Sequence, residues 1–334
     1  MKRLLKILMI LALIIVLVVV GGVVYLKSAF PKDGPVVEVS LPKNDTATLA
    51  RGKYLVNALC GCVECHSPRN LDLFDIPQKE DSLGKGGLLF SEDFGFPGKI
   101  YSKNITPTGI GKWTDAQLYH AVTTGVNTDG DVLFPVMPFQ HFGKADPEDI
   151  KAMLAYIRTL KPLEGSFPKH DLKVPVNLLV SMEAAPAQPV KRPSPSDTLA
   201  YGTYLFNLGA CNECHTQRDD KGKFIESLTM AGGYAFKFRG IGTVRSSNLT
   251  PDVETGLGNW TKDHFIDAFK YYEKPENRNV PWKKVGYQTL MPWLGHSQLT
   301  RDDLAALYKY LRSIKPIKNT VVKWTPWAEE TASK

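Results

Sequence analysis

Cys62-Val63-Glu64-Cys65-His66 returns about 150 residues later as Cys211-Asn212-Glu213-Cys214-His215, and this recurrence decides how the chain is read. Working outward, Ala50-Arg51-Gly52-Lys53-Tyr54-Leu55 returns as Ala200-Tyr201-Gly202-Thr203-Tyr204-Leu205. Asn104-Ile105-Thr106-Pro107 matches Asn248-Leu249-Thr250-Pro251, Trp113-Thr114 matches Trp260-Thr261, and Met137-Pro138 matches Met291-Pro292. Tyr156-Ile157-Arg158-Thr159-Leu160-Lys161-Pro162 matches Tyr310-Leu311-Arg312-Ser313-Ile314-Lys315-Pro316. Collinear matches at nearly constant spacing mark a tandem duplication, which the length of 334 residues accommodates as two domains. The expected organisation is an N-terminal anchor at 1–30, a first domain at 45–163, a Pro-rich linker at 164–197, a second domain at 198–317 and a C-terminal tail at 318–334. Pro168, Pro175, Pro186, Pro189, Pro193 and Pro195 favour an extended, semi-rigid connector in that linker.

Each copy reads as helices joined by long loops. Asp146 is a capping acid before Pro147, Glu148 and Asp149, and Ile150, Met153, Leu154 and Ile157 then follow a helical stripe. In the second copy Thr300 with Asp303 resembles a capping box ahead of Leu304, Leu307, Tyr308 and Leu311. Thr114 with Gln117, and Thr261, open a second helix in each copy. No series of alternating strands stands out, so the expected fold class is all-α, with long loops that need something rigid to pack around.

Composition, at 43% hydrophobic and 22% charged, is that of a globular protein. The formal net charge of +7 is concentrated at the start, where residues 1–30 hold Lys2, Arg3, Lys6 and Lys27 and no acid. The remainder carries 37 basic and 34 acidic residues, so a nucleic-acid surface is not what the charge reports. Residues 7–26 are uncharged, and twenty helical residues span roughly the 30 Å of a bilayer core. The run is longer than a signal-peptide core and lacks a nearby A-x-A cleavage pattern, so it reads as a retained transmembrane helix. Basic residues before it stay cytoplasmic, which places the rest outside the bacterial inner membrane, on the periplasmic side.

C-x-x-C-H is the attachment signature of c-type haem: two thiols add to the two vinyl groups and the adjacent imidazole turns to the iron. Two such segments imply two covalently bound haems, held by Cys62, Cys65 and His66 and by Cys211, Cys214 and His215. The competing readings are a pair of disulfides, which export permits, or a zinc site, which needs four protein ligands in each domain. Cys60 is left over and faces Gly209 in the second copy, which reads as a buried or idle thiol.

The sixth iron ligand is expected from Met137 and Met291. They are aligned, each precedes a Pro, and each lies in a loop just before the closing helix. Met153 falls on an apolar helical stripe, Met182 lies in the linker, and Met230 has no methionine partner in the first copy. His141 and His296 follow the two aligned methionines closely and are read as surface or supporting residues.

Beyond the pentapeptides the chain carries Ile100-Tyr101-Ser102-Lys103-Asn104-Ile105-Thr106-Pro107 with Thr108-Gly109-Ile110-Gly111-Lys112-Trp113. In the second copy the counterparts are Ser247-Asn248-Leu249-Thr250-Pro251 and Thr255-Gly256-Leu257-Gly258-Asn259-Trp260. Over 45–163 and 196–317 these resemble class I cytochrome c domains, and more narrowly the cytochrome c subunit of membrane-bound quinoprotein alcohol dehydrogenases, which has three C-x-x-C-H segments where this chain has two. The resemblance implies two tandem cytochrome c domains, with Asn104, Trp113, Asn248 and Trp260 near the haem propionates.

Two function classes follow. One is a membrane-anchored dihaem electron carrier of a respiratory chain, passing single electrons between a dehydrogenase or quinol-oxidising complex and a soluble cytochrome or terminal oxidase. The other is a haem enzyme such as a dihaem peroxidase, which needs an iron open to substrate. Paired Met137 and Met291 favour the carrier, with no catalytic residue of its own and redox proteins, not nucleic acid, as partners.

Overall fold

The computed structural model describes residues 2–42, 45–220 and 222–328. Met1 of the expected anchor, Lys221 of the second domain and 329–334 of the expected tail lie outside the described residues. The first helix, α1 (Lys2–Ala29), has no buried residue and is long and apolar enough to cross a membrane, which makes it a candidate anchor. The first repeat then runs α2 (Thr46–Tyr54), a π-helical turn at Leu55–Leu59, α3 (Cys62–Cys65), α4 (Pro107–Ile110), α5 (Asp115–Thr124), α6 (Phe139–Phe142) and α7 (Pro147–Ile157). A short helix, α8 (Val176–Leu179), lies between the repeats. The second repeat follows as α9 (Thr198–Leu208), α10 (Cys211–His215), α11 (Lys262–Lys270), α12 (Trp282–Val285), α13 (Trp293–His296) and α14 (Arg301–Ser313).

Local chemistry accounts for the main boundaries. Asp146 accepts from the Glu148 amide and Pro147 occupies the first turn of α7. Thr114 and Gln117 form both halves of a capping box, and α5 ends where Gly125 turns left-handed at φ +83°. At α14 only half of the expected box forms. Thr300 accepts from the Asp303 amide, but the Asp303 carboxylate accepts instead from the Tyr54 hydroxyl of the first repeat at 2.6 Å.

The fold is mainly helical, with an addition that corrects the all-α expectation: two small antiparallel sheets. One is ordered β1 (Leu89–Phe90), β2 (Gly98–Tyr101), β3 (Asp171–Leu172), the other β4 (Ala235–Phe238), β5 (Gly242–Arg245), β6 (Trp324–Pro326). Strands of two to four residues are too short to display a period-two pattern, so the sequence alone does not reveal them. β3 comes from the Pro-rich segment and β6 from the C-terminal segment, so in both repeats the chain after the closing helix returns to complete the sheet.

Within each repeat the first helix crosses the last at a glycine. A Cβ on Gly52 would stand 1.9 Å from the Ala152 carbonyl oxygen, and one on Gly202 would stand 2.0 Å from that of Ala306. The two crossings meet in one continuous apolar core, where Leu55, Leu59, Ile150 and Leu154 pack with Leu205, Leu208, Leu304 and Leu307. Two tyrosines pin the repeats reciprocally. Tyr54 accepts from the Thr300 amide and donates to Asp303, while Tyr204 accepts from the Asp146 amide and donates to Asp149 at 2.8 Å. Asp149 is also bidentate with Arg51, at 3.0 and 2.9 Å. Below α1, Asp33 meets His120 of α5 at 2.8 Å and Leu41 is buried, tying the segment after the candidate anchor to the first repeat.

Candidate functional site

Each C-x-x-C-H segment begins at a left-handed residue, Gly61 at φ +59° and Ala210 at φ +51°, which ends the preceding helix and starts a single new turn. One turn puts positions i and i+3 on the same side, so Cys62 pairs with Cys65 and Cys211 with Cys214. All five cysteines are free thiols, which removes the disulfide reading. Among the described residues no group of three or more His, Cys, Asp or Glu is arranged to hold a metal ion, so the zinc reading has no ligand set.

The histidines are oriented alike. His66 Nδ1 lies 2.7 Å from the Lys103 carbonyl and His215 Nδ1 2.8 Å from the Ser247 carbonyl. A carbonyl only accepts, so Nδ1 carries the proton and the Nε2 lone pair is left available. Burial lowers the pKa of both rings, that of His215 to about 4, so both are neutral at physiological pH. Two adjacent thiols with a neutral imidazole of fixed tautomer are the donor set that covalent haem c requires, and the residues present fit that group in both repeats.

Cys62 and Cys211 are partly covered, whereas Cys65 and Cys214 are exposed. Burial pushes Cys62 and Cys211 up to about 12, with the partner thiol of each pair adding to it. Cys214 keeps part of its surface open, yet the protein around its sulfur also raises it to about 12, with contributions from Glu213 and from Cys65 of the other repeat. Cys60 sits where the two repeats meet, with its Sγ 3.8 Å from the Leu208 carbonyl and its pKa pushed well up by burial, so it is an inert thiol.

Asn104 and Asn248 are buried, and their side chains bond within the protein. Asn104 accepts from the Thr106 amide and hydroxyl and donates to the Leu163 carbonyl at 2.7 Å; Asn248 repeats this with Thr250 and the Ile317 carbonyl at 2.8 Å. They staple the N-x-T-P loop to the chain leaving the closing helix. Trp113 and Trp260 are half-buried against the core, and their carbonyls accept from Arg158 and the Tyr308 hydroxyl.

Met137 and Met291 are both half-buried against the core, immediately before α6 and α13. Met153 is buried in α7 and Met182 is exposed. Met230 is buried at φ +61°, its amide bonded to the Thr216 hydroxyl as the Gly84 amide bonds to that of Ser67, so a methionine stands where the first repeat has glycine. His141 and His296 both reach across to the other repeat: His141 Nε2 lies 2.9 Å from Glu213, and His296 Nδ1 2.6 Å from the Ala58 carbonyl.

Sequence reasoning missed the acids and arginines around the motifs. Glu64 pairs with Arg69 at 3.6 Å, and Glu213 pairs with Arg218. The signal was present, because both repeats read C-x-E-C-H-x-x-R. Asp75 was also missed. Its Oδ2 accepts from the Leu294 amide at 2.7 Å, while the buried Oδ1 has no partner. Burial, and then the Glu64 carboxylate, push its pKa well above the ordinary value. A carboxyl raised in the folded state supplies stability below its unfolded pKa and loses it as pH rises through the raised value. Asp75→Asn, which cannot ionise and keeps an acceptor for Leu294, is therefore expected to unfold later than the parent at pH 7, by about 1–2 kcal/mol. The difference should shrink on acidification toward about pH 4 in thermal melts. A loss of stability at pH 7 would show that the charged form is the native one.

No family model matches the chain. It is 30% identical over 283 residues to the fructose dehydrogenase cytochrome subunit of Gluconobacter japonicus, covering 80% of this chain and 52% of that protein. It is 29% identical over 292 residues to the cytochrome c subunit of the alcohol dehydrogenase (quinone) of Gluconacetobacter polyoxogenes, covering 83% of this chain and 58% of that protein. A dihaem c-type cytochrome of Cereibacter sphaeroides is 26% identical over 284 residues, 82% of this chain and 88% of the relative. The chain thus spans a little over half the length of the two dehydrogenase subunits. With its attachment segments and these likenesses together, the chain resembles the cytochrome c subunits of dehydrogenases and a dihaem c-type cytochrome, and the names of these relatives imply covalently bound haem c.

Proposed function

We propose that the chain is a dihaem electron carrier anchored in the bacterial inner membrane by α1, with both haems on the periplasmic side. It passes single electrons from a dehydrogenase or quinol-oxidising complex toward a soluble cytochrome or terminal oxidase. The observation that carries this is the repetition of one donor set, a thiol pair beside a neutral imidazole whose Nδ1 is held by a carbonyl. In this reading Cys62, Cys65, Cys211 and Cys214 attach two haems, His66 and His215 supply the fifth ligands, and Met137 and Met291 supply the sixth. Haem c held by these residues would supply one-electron redox chemistry, at a potential that thioether ligation would raise.

The rest is done by the chain. The carbonyls of Lys103 and Ser247 hold the two imidazoles in one tautomer and direction, and the Asn104 and Asn248 staples keep those carbonyl-bearing loops in place. The relatives named for dehydrogenases support a dehydrogenase as the donor.

Ligand substitution tests the reading. Met137→Ala is expected to open the first iron to carbon monoxide, to remove about half of the charge-transfer band between thioether and ferric iron, and to lower one of two midpoint potentials. Carbon monoxide binding to the unaltered reduced protein would favour the haem-enzyme reading instead.

A further inference from the structure

The short helices that follow the two methionines dock on the opposite repeat. α6 begins directly after Met137-Pro138, and its His141 places Nε2 2.9 Å from Oε1 of Glu213, the residue just before Cys214. The other carboxylate oxygen of Glu213 is engaged by Arg218, which fixes its direction. The link back to Met137 is short and stiff: the Phe139 amide bonds to the Met137 carbonyl at 2.8 Å, the His141 amide bonds to the Pro138 carbonyl at 3.0 Å, and Phe139 is fully buried.

The related contact in the other direction is built differently. The position equivalent to His141 is Gly295, where a Cβ would come within 2.4 Å of Glu64 Oε1, so backbone replaces a side-chain bond. The segment after Met291 is held by Asp75 through the Leu294 amide and by the Ala58 carbonyl through His296. The pseudo-symmetry of the repeats is therefore broken at their haem-facing loops. The Met137 loop has a side-chain bond to the carboxylate of the other repeat's attachment segment, and among the described residues the Met291 loop has no such bond.

We propose that Glu213 of the second attachment segment is a positioning residue for Met137, holding the sixth ligand of the first haem through His141. This rests on the reading of Met137 and Met291 as the sixth ligands. Glu213 touches no iron. Removing its carboxylate frees His141 and with it the turn that presents Met137, so the first haem loses thioether ligation while the second, whose histidine and methionine lie on other contacts, keeps it. The chain thereby carries a physical connection from the attachment segment of one haem to the axial ligand of the other.

The test uses the full chain and the thioether charge-transfer band of the oxidised protein, read in two backgrounds. In Met291→His any remaining band belongs to the first haem, and in Met137→His it belongs to the second. Glu213→Ala is expected to reduce the band at least twofold in the Met291→His background and to leave it unchanged in the Met137→His background. Glu213→Gln, which keeps an acceptor for His141 and the shape of the attachment segment, should retain most of it in both. Loss in the Met137→His background, in both backgrounds or in neither overturns the assignment of Glu213 to Met137. Failure of the underlying ligand reading looks different, because Met137→His alone would then leave the band at full strength.

Discussion

Replacing Cys62 and Cys65 together by serine is expected to remove half of the covalently retained haem and to reach beyond the first repeat. Denaturation followed by acid-acetone extraction of the parent should leave both haems on the chain, since thioethers survive it. The double variant should release, or never acquire, one. If each repeat had its own core, the second would then melt as before. Instead Leu55 and Leu59, which lie just ahead of the lost attachment site, pack in one core with Leu205 and Leu208 of the second repeat. The melting transition of the remaining haem domain, followed by its absorbance, is therefore expected to fall by more than ~5 °C, the scale at which one or two kcal/mol acts on a domain of this size. An unchanged melt for the second haem would mean that the repeats are energetically separate despite the shared core.

The second large effect belongs to the helix crossings. In Gly202→Ala the new methyl carbon would lie 2.0 Å from the Ala306 carbonyl oxygen, and in Gly52→Ala 1.9 Å from that of Ala152. Backbone, not a movable side chain, is in the way, so α9 and α14, or α2 and α7, must separate. Alanine raises helix propensity by up to about 1 kcal/mol, but overpacking at a closely fitted crossing costs about 3 kcal/mol, and the clash prevails. Denaturant unfolding should show a net loss of about 2 kcal/mol or more for each variant, against a change within about 0.5 kcal/mol for the exposed neighbour Lys53→Ala. Stability equal to the parent in Gly202→Ala would exclude the close approach of α9 and α14.

The crossings also show where reading residues in order stops short. Gly52 and Gly202 are visible in sequence as matched positions of a repeat, but a glycine inside a helix stripe does not say which carbonyl it admits. The caps at Asp146 and Thr114 were legible because a cap is satisfied within four residues. The half-formed cap at Thr300 was not, because the competing partner for Asp303 is Tyr54, from the other repeat.

The duplication, the apolar N-terminal run, the paired thiols with their adjacent histidines, and the aligned Met137 and Met291 are all written in local order. Covalent attachment and helix periodicity depend on residues a few positions apart, and such spacing survives in a string of letters. Tertiary structure alone decided the small sheets, the shared core, the carbonyls that orient His66 and His215, and the bonds of His141, Asp75 and His296 across the repeats. Each of these joins groups far apart in the chain, and a hydrogen bond is specified by the distance and direction between its atoms in space. Those become defined only when both repeats have packed.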